Sequence, residues 1–518
     1  MGESENQLQR DPPITESNIM SEPQVTIVIV PRERFTHSER TLESVYQETT
    51  FPFQLIYISA GTPDPMYRRI ASQAELKGFK LIHTERFLSP NQARNLGARE
   101  VSTKYLVFVD NDALVTRGWL EALVQCAEDT GAWVVGPLYL FGEIERQKIH
   151  MAGGILKFTE QQGQRVLYDE QYLFDTPMAN LAVPLQRSVW DYAEFHCMLV
   201  RTDVFAKLGP LDEKLLSHQE HIDLCLEVQK AGGAVYIEPT AVTSYVPPPP
   251  CDESDLPYFM LRWSEAWNLR TVQHFNQKWN VATVRFFTDK TAPEADHTTS
   301  RWARGHRRLM TGLDVRETGP TDPRSCLEQA QLIIALFLSV DKDRFDLLLT
   351  TDSGVLLASE AALDPDQLFE RLPAHLQAAD DGNLNVMVRP LTNARPGEPL
   401  MVMVDQLDFQ AAEALRPHAF LTLTTSPDRY QCWIAVGAAS WRSAAALRRM
   451  VGPDKPRTEN DPFWVNLAGA KNICASGGGP QGRYPRVALA EAVVGRLVTV
   501  HQLESSKAAA HLWSGHIA

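Results

Sequence analysis

YLVFVDNDALVTRGWLEALV, residues 105–124, decides the fold. An apolar run of strand length ends on Asp110 and Asp112, one residue apart, and a helical pattern follows. Asp-Asn-Asp is ordinary turn chemistry after a strand. It is also a pair of oxygen ligands for a hard divalent ion. Upstream, short apolar runs alternate with helical patterns: VTIVIV, ERTLESVYQ, FQLIYIS, YRRIASQAELKG, KLIHT and NQARNLGAREV. Strands separated by helices of this length predict an α/β unit with a mainly parallel sheet and helices on both faces. Ligands of such sheets sit at the carboxyl ends of the strands, which is where the two aspartates fall.

The chain has 518 residues, 44% of them hydrophobic, and a single core rarely grows beyond roughly 250–300 residues, so two domains are expected. The opening stretch, residues 1–23, is polar and lacks the layout of a signal peptide, which predicts a disordered arm. The sheet unit spans 24–285. PPPP at Pro247–Pro250 can be neither helix nor central strand and closes or crosses that unit. Residues 286–323 read as a connector, and 324–518 as a second unit that opens with the helix SCLEQAQLIIALFLSV and continues with the strands MVMVDQLD, AFLTLTTS and YQCWIAVG.

A formal charge of -14 argues against nonspecific polyanion binding by the whole molecule. The seven cysteines form no CxxC pair and predict reduced thiols, hence a cytoplasmic protein. No apolar run reaches the roughly 20 residues that span a bilayer, so no membrane partner is expected.

The blocks VTIVIVPRER, TLESVYQ, NQARNLGARE, YLVFVDNDALVTRGWLEALV and FHCMLVRTDVFAKLGPLDEKLLSHQEHIDLCLEVQKAGG together resemble family 2 glycosyltransferases of the Rossmann-like GT-A fold, over about residues 24–285. The resemblance implies that Asp110 and Asp112 hold Mn2+ or Mg2+ with the diphosphate of a nucleotide-sugar donor, a UDP-sugar such as UDP-glucose. It places Pro31, Arg32, Glu33 and Asn111 beside that donor, with Arg94 and Asn95 on a helix lining its pocket. Arg94 has a plainer reading as well, an ion pair with Asp110. In this family the second strand ends with an Asp that reads the base; here Ser59 stands there. A metal-binding His is replaced by Ser244 and Tyr245 near the proline run, which leaves His196 to complete the metal shell or to be a buried strand histidine. The usual Glu-Asp pair reads Glu220-His221, which makes Glu220 the expected general base. Asp223 is the runner-up base or a helix cap, and His221 a third proton acceptor. The implied reaction is single displacement with inversion at the sugar carbon.

From about Arg324 to Val500 the segments PLMVMVDQLD, LTLTTSPDRYQCWIAV and FWVNLAGAKNICASGGGPQGRYPRVAL resemble RepB-like primases of the archaeo-eukaryotic superfamily, which implies an α+β domain. Two-metal polymerase chemistry needs clustered carboxylates. Asp405 and Asp408, three apart, point to opposite faces of an extended strand, and SPDRYQCW lacks the family's histidine, so a degenerate fold kept for nucleic-acid binding is expected. Arg442, Arg448, Arg449, Lys471, Arg483, Tyr484 and Arg486 mix cations with an aromatic, the combination that single-strand or flipped-base binding requires, and Arg301, Arg304, Arg307 and Arg308 form a second basic cluster. Such a charge run is equally a solvated face. The joint reading is a transferase that places sugar on a hydroxymethylated pyrimidine such as 5-hydroxymethylcytosine in DNA, as in bacteriophage hypermodification, working in a host cytoplasm. The alternatives are a polysaccharide, lipid or protein acceptor, or a primase carrying an inactive transferase unit.

Overall fold

A computed structural model describes residues 23–286, 303, 305–316, 325–351, 355–382, 384–391, 398–426, 429–437, 465–466 and 487–504. The front unit begins with β1 (Val25–Val30), α1 (Ser38–Glu48), β2 (Phe53–Ala60), α2 (Asp64–Lys77), β3 (Lys80–Thr84), α3 (Pro90–Ala98) and β4 (Tyr105–Asp110). These four strands pair in parallel in the order β3-β2-β1-β4, the arrangement that helix-length connections impose. All six residues of β1 are buried: Val28 and Val30 pack on one face, Val25, Ile27 and Ile29 on the other. A strand covered on both faces reads as a continuous apolar run, which is why VTIVIV shows no alternation.

The sheet then turns mixed. β5 (Ala113–Val115), α4 (Trp119–Thr130) and β6 (Val134–Phe141) follow, then β7 (Lys148–Met151) and a hairpin of β8 (Gly154–Gln161) and β9 (Gln164–Gln171). The short β10 (Thr176–Pro177) and β11 (Ser188–Trp190) lead to β12 (Cys197–Arg201), α5 (Thr202–Leu208), α6 (Glu220–Lys230) and β13 (Val235–Tyr245). β12 inserts antiparallel between β4 and β6, while β13 runs parallel to β6 and antiparallel to β5. The antiparallel insertion brings the start of β12 to the carboxyl end of β4. The loop after β13, with Pro247–Pro250, leads to α7 (Leu256–Arg262) and α8 (Glu265–Trp279), and β14 (Thr283–Phe286) joins the β8–β9 hairpin.

The rear unit is α+β. One antiparallel sheet has the order 314–316, 488–493, 421–426, 429–436, 400–407, and the other 356–363, 345–350, 385–390, 465–466. The strand Asp314–Arg316 lies inside the stretch expected to be a connector; it buries Val315 and pairs with the rear sheet, a three-residue edge too short to show a period. Helix Cys326–Ser339 packs against α7, so one apolar cluster runs from Tyr258, Phe259 and Leu261 to Ile333, Ile334 and Phe337. Among the described residues no helix is long and apolar enough to cross a membrane.

Candidate functional site

Along β4, Leu106 and Phe108 face one core and Tyr105, Val107 and Val109 the other, so Asp110 emerges on the side of Leu106 and Phe108, where α3 and α6 lie. Helix α3 starts from a capping box, with Ser89 accepting from the Gln92 amide and the Gln92 side chain accepting from the Ser89 amide. It lies so close to β1 that a Cβ on Gly97 would stand 2.4 Å from Val28 Cγ1. That approach carries Arg94, fully buried and 3.9 Å above the Phe195 ring, to Asp110. Arg94 Nη2 donates to Asp110 Oδ1 at 2.9 Å and Arg32 Nη1 donates to Oδ2 at 3.1 Å. Burial would raise the Asp110 pKa, but Arg94 and Arg32 outweigh it and hold the carboxyl well below its usual range. Both readings of Arg94 are thus compatible with its place: it pairs with Asp110 at the strand ends.

Asp112 is the opposite case. It is completely buried, and neither carboxylate oxygen has a hydrogen-bond partner among the described residues. Burial, with Asp110 and Glu33 nearby, pushes its pKa well up. His196 is 2% exposed, and its Nδ1 lies 3.4 Å from Asp110 Oδ2 without closing a hydrogen bond. Asp110, Asp112 and His196 bring one ligand atom each within 4.8 Å of one another. Two carboxylates and a neutral imidazole suit Mn2+ or Mg2+, and an unpaired buried carboxylate is the vacancy such an ion would satisfy. The residues therefore fit a divalent cation. His196 is a buried strand-end histidine as well, stacked 4.0 Å from the Tyr245 ring.

Glu33 accepts from the Tyr245 hydroxyl at 2.7 Å and lies 3.5 Å from Arg262 Nε. Asn111 receives the Arg32 amide and donates to the Arg34 carbonyl and Ser38 hydroxyl, so it fixes the loop after β1. Pro31 is buried at the start of that loop. Ser59 is buried and hydrogen bonds to His83 Nδ1 at 3.1 Å. Asn95, expected to line the donor pocket, engages both ends of its amide with the Leu211 backbone, donating to the carbonyl and accepting from the N–H at 2.9 Å. Its observed work is to hold the loop before α6.

That loop ends at Gln219, whose φ of 65° is left-handed, and Glu220 follows at the start of α6. Glu220 Oε1 stands 3.5 Å from Arg94 and 3.6 Å from Arg262, while Oε2 has no hydrogen-bond partner among the described residues. Burial opposes ionisation, but Arg262 and Arg94 bring the carboxyl down to about 2, so it is charged at neutral pH. Asp223, the runner-up, has both oxygens engaged: Lys278 Nζ and Trp279 Nε1 each donate at 2.8 Å. It ties α6 to α8 rather than capping α6, which has no side-chain cap. His221 is half-buried against the Tyr192 ring, and burial lowers its pKa.

Three contributors escape a linear reading. Arg262 sits in the apolar run YFMLRW; a lone cation among buried aromatics was the available signal. Glu194 is two residues before His196 in the segment that leads into β12, and His150 comes from β7. In the rear unit Asp408 caps the helix Phe409–Leu415 by accepting from the Ala411 amide at 2.8 Å, so it is not a strand carboxylate beside Asp405. Arg307 is engaged too, donating to the Trp263 carbonyl and pairing with Asp341 at 2.6 Å. Arg301, Arg304, Arg442, Arg448, Arg449, Lys471, Arg483, Tyr484 and Arg486 lie outside the described residues.

Residues 26–183 match the family model Glycosyl transferase family 2. The chain is similar to the pre-mycofactocin glycosyltransferase of Mycobacterium tuberculosis, 25% identical over 166 residues, 32% of each protein. It is also similar to the O-antigen biosynthesis protein RfbC of Myxococcus xanthus, 24% identical over 217 residues, 40% of this chain and 16% of that one. The chain spans only 19% and 32% of the first two of these curated relatives, the former an uncharacterized glycosyltransferase of Rickettsia bellii. Among solved structures, GalNAc-T7 with UDP, GalNAc and Mn2+ aligns at 15% identity, 56% of each chain and a TM-score of 0.35. The catalytic domain of primase RepB′ with initiator DNA aligns at 20% identity, 35% of this chain, 93% of that one and a TM-score of 0.27. The match to the glycosyltransferase family 2 model thus falls on the mixed, mainly parallel GT-A-type sheet of the front unit.

Proposed function

We propose that the protein is a metal-dependent inverting glycosyltransferase using a nucleotide-sugar donor, a UDP-sugar, with DNA carrying a hydroxymethylated pyrimidine as acceptor. The observation that carries the transferase chemistry is the pair of buried carboxylates with oxygens that lack a hydrogen-bond partner among the described residues: Asp112, beside Asp110 and His196, and Glu220 Oε2, whose carboxylate Arg94 links to Asp110. Asp110, Asp112 and His196 would hold Mn2+ or Mg2+, which when bound neutralises the charge growing on the departing diphosphate. Arg32, 15% exposed at its side chain, is the cation of the cluster open to solvent and is suited to meet a donor phosphate. Glu220, already ionised, accepts the proton of the acceptor hydroxyl as its oxygen attacks the anomeric carbon from the face opposite the leaving group.

The DNA acceptor rests on the primase-like sequence of the rear unit, a degenerate fold by this reading, and on its basic and aromatic residues between Arg442 and Arg486. A hydroxymethyl base offers a primary alcohol, and extrusion of the base would bring it to Glu220. Incubation with hydroxymethylated or plain DNA, a panel of labelled sugar nucleotides and Mn2+ tests the proposal: label on hydroxymethylated DNA alone supports it. A second reading, a glycan or small-molecule acceptor, is favoured by the names of the curated relatives. Label on a glycan and none on DNA would establish that reading instead.

A further inference from the structure

Beneath the proposed cation site lies a second layer of side chains that the transfer reaction does not touch. Glu194 is its centre. Its backbone is fixed by one hydroxyl: the Glu194 N–H donates to Tyr139 Oη at 2.9 Å, and Tyr139 donates to the Glu194 carbonyl at 2.8 Å. Its side chain is held as firmly. Oε1 accepts from Gln171 Nε2 at 2.7 Å, and Oε2 lies 2.8 Å from His150 Nε2. The same Oε2 stands 3.4 Å from His196 Nε2, on the edge of the ring opposite to the one that faces Asp110.

A neutral imidazole has one N–H, and the hydrogen bond at one nitrogen decides which lone pair the other presents. Here two carboxylates face the two edges of His196. Asp110 already receives two guanidinium cations, Arg94 and Arg32, one on each oxygen, whereas the oxygens of Glu194 meet only an amide and an imidazole, so the negative charge left to attract the imidazole proton is greater on Glu194. We infer that Glu194 is a positioning residue: it holds the proton of His196 on Nε2 and turns the bare Nδ1 toward Asp110 and Asp112, with His150 and Gln171 keeping Glu194 in place. Tyr245 covers one face of the imidazole, with ring centroids 4.0 Å apart. A carboxylate behind a metal-binding histidine typically accounts for 10–100-fold in metal affinity. The inference deepens the proposed function and rests on its metal site.

The test uses the full chain with Mn2+ alone as probe and no sugar donor. Wild type is expected to bind one Mn2+, with a nitrogen coupling in pulsed electron paramagnetic resonance that His196→Asn removes. Glu194→Gln, which matches the shape but offers an amide, is expected to bind Mn2+ about 10–100-fold more weakly. As a measurement that needs no altered Glu194, long-range proton–nitrogen correlation on histidine-labelled, metal-free wild type is expected to show His196 protonated on Nε2. A wild-type His196 protonated on Nδ1 would overturn the inference. So would Glu194→Gln with wild-type Mn2+ affinity and nitrogen coupling, and this would leave the metal-dependent reading standing. A second Mn2+ held by His150, Glu194 and His196 would replace positioning with a separate ion site. Wild type without a nitrogen-coupled Mn2+ would remove the metal reading and this inference together.

Discussion

Glu220 and Asp112 are the two residues on which the chemistry turns, and they differ in what surrounds them. Glu220 is ionised because two guanidinium groups stand beside it, so Glu220→Gln keeps the shape of the cluster but removes both the proton acceptor and the charge those groups face. The expected loss in kcat is about 10²–10⁴-fold, with Mn2+ binding near wild type and a lower thermal midpoint, because Arg94 and Arg262 stay buried without the charge they face. Asp112 is buried with no partner, which costs the metal-free fold free energy. Asp112→Asn is therefore expected to melt at or above wild type without metal. It should also lose the stabilisation that Mn2+ gives wild type, about 2.7 kcal/mol at a hundredfold excess over Kd; a full Mn2+ response in this variant would contradict the site. Asp169 offers a pH dependence. Burial raises its carboxyl to about 7, against the hydrogen bond it receives from Tyr192, while the unfolded chain would titrate near 3.9. Folding then takes up a proton between those values, so this contribution to stability is complete below about pH 4 and declines as pH rises to about 7. Asp169→Asn should flatten that part of the stability profile by a few kcal/mol, read by urea denaturation across pH. At this scale the sequence exposed the aspartate pair and Glu220, whereas the role of Asn95 was not legible: its carboxamide is equally suited to a ligand or to the Leu211 backbone.

Among the elements, α3 and β12 position the charges. Helix α3 was legible from the helical pattern of NQARNLGAREV, while its capping box at Ser89 and Gln92 came with the structure. Its closeness to β1 depends on Gly97 having no side chain. Gly97→Ala would force a Cβ to 2.4 Å from Val28, and an overpacked core typically loses about 1–3 kcal/mol. The expected outcome is a lower urea midpoint at unchanged slope, together with a fall in kcat as Arg94 moves with its helix. An alanine variant as stable as wild type would mean that α3 is free to shift. Strand β12 explains a different gap. Its apolar run CMLVR is visible in sequence, but its direction is not, because nothing in five residues says whether the chain before it turns back. The antiparallel pairing of Cys197 with Val109 is what sets His196 beside Asp110.

Across the whole molecule, α7 belongs to two environments at once. Arg262 at its end enters the charged cluster, while Tyr258, Phe259 and Leu261 share an apolar core with the helix 326–339 of the rear unit. Phe87 also meets Phe369 edge-on at 5.4 Å, and Arg270 reaches Asp364. Units joined through a common core should melt together, so calorimetry of the full chain is expected to give one cooperative transition. Two well-separated transitions would show that the shared cluster couples them weakly. Local properties were determined by the sequence alone: a parallel α/β sheet follows from apolar runs alternating with helical periods, and two carboxylates at a strand end follow from where such a run stops. Only the tertiary structure decided which carboxylate is neutralised and which left bare, that His196 stands beside them with Glu194 behind it, and that Arg262 reaches Glu220 from a helix packed on the rear unit. Periodicity reports a residue's relation to its own element within a few positions along the chain. Pairing direction and the contacts of buried charges depend on segments tens to hundreds of residues apart, and these are fixed only when the cores close.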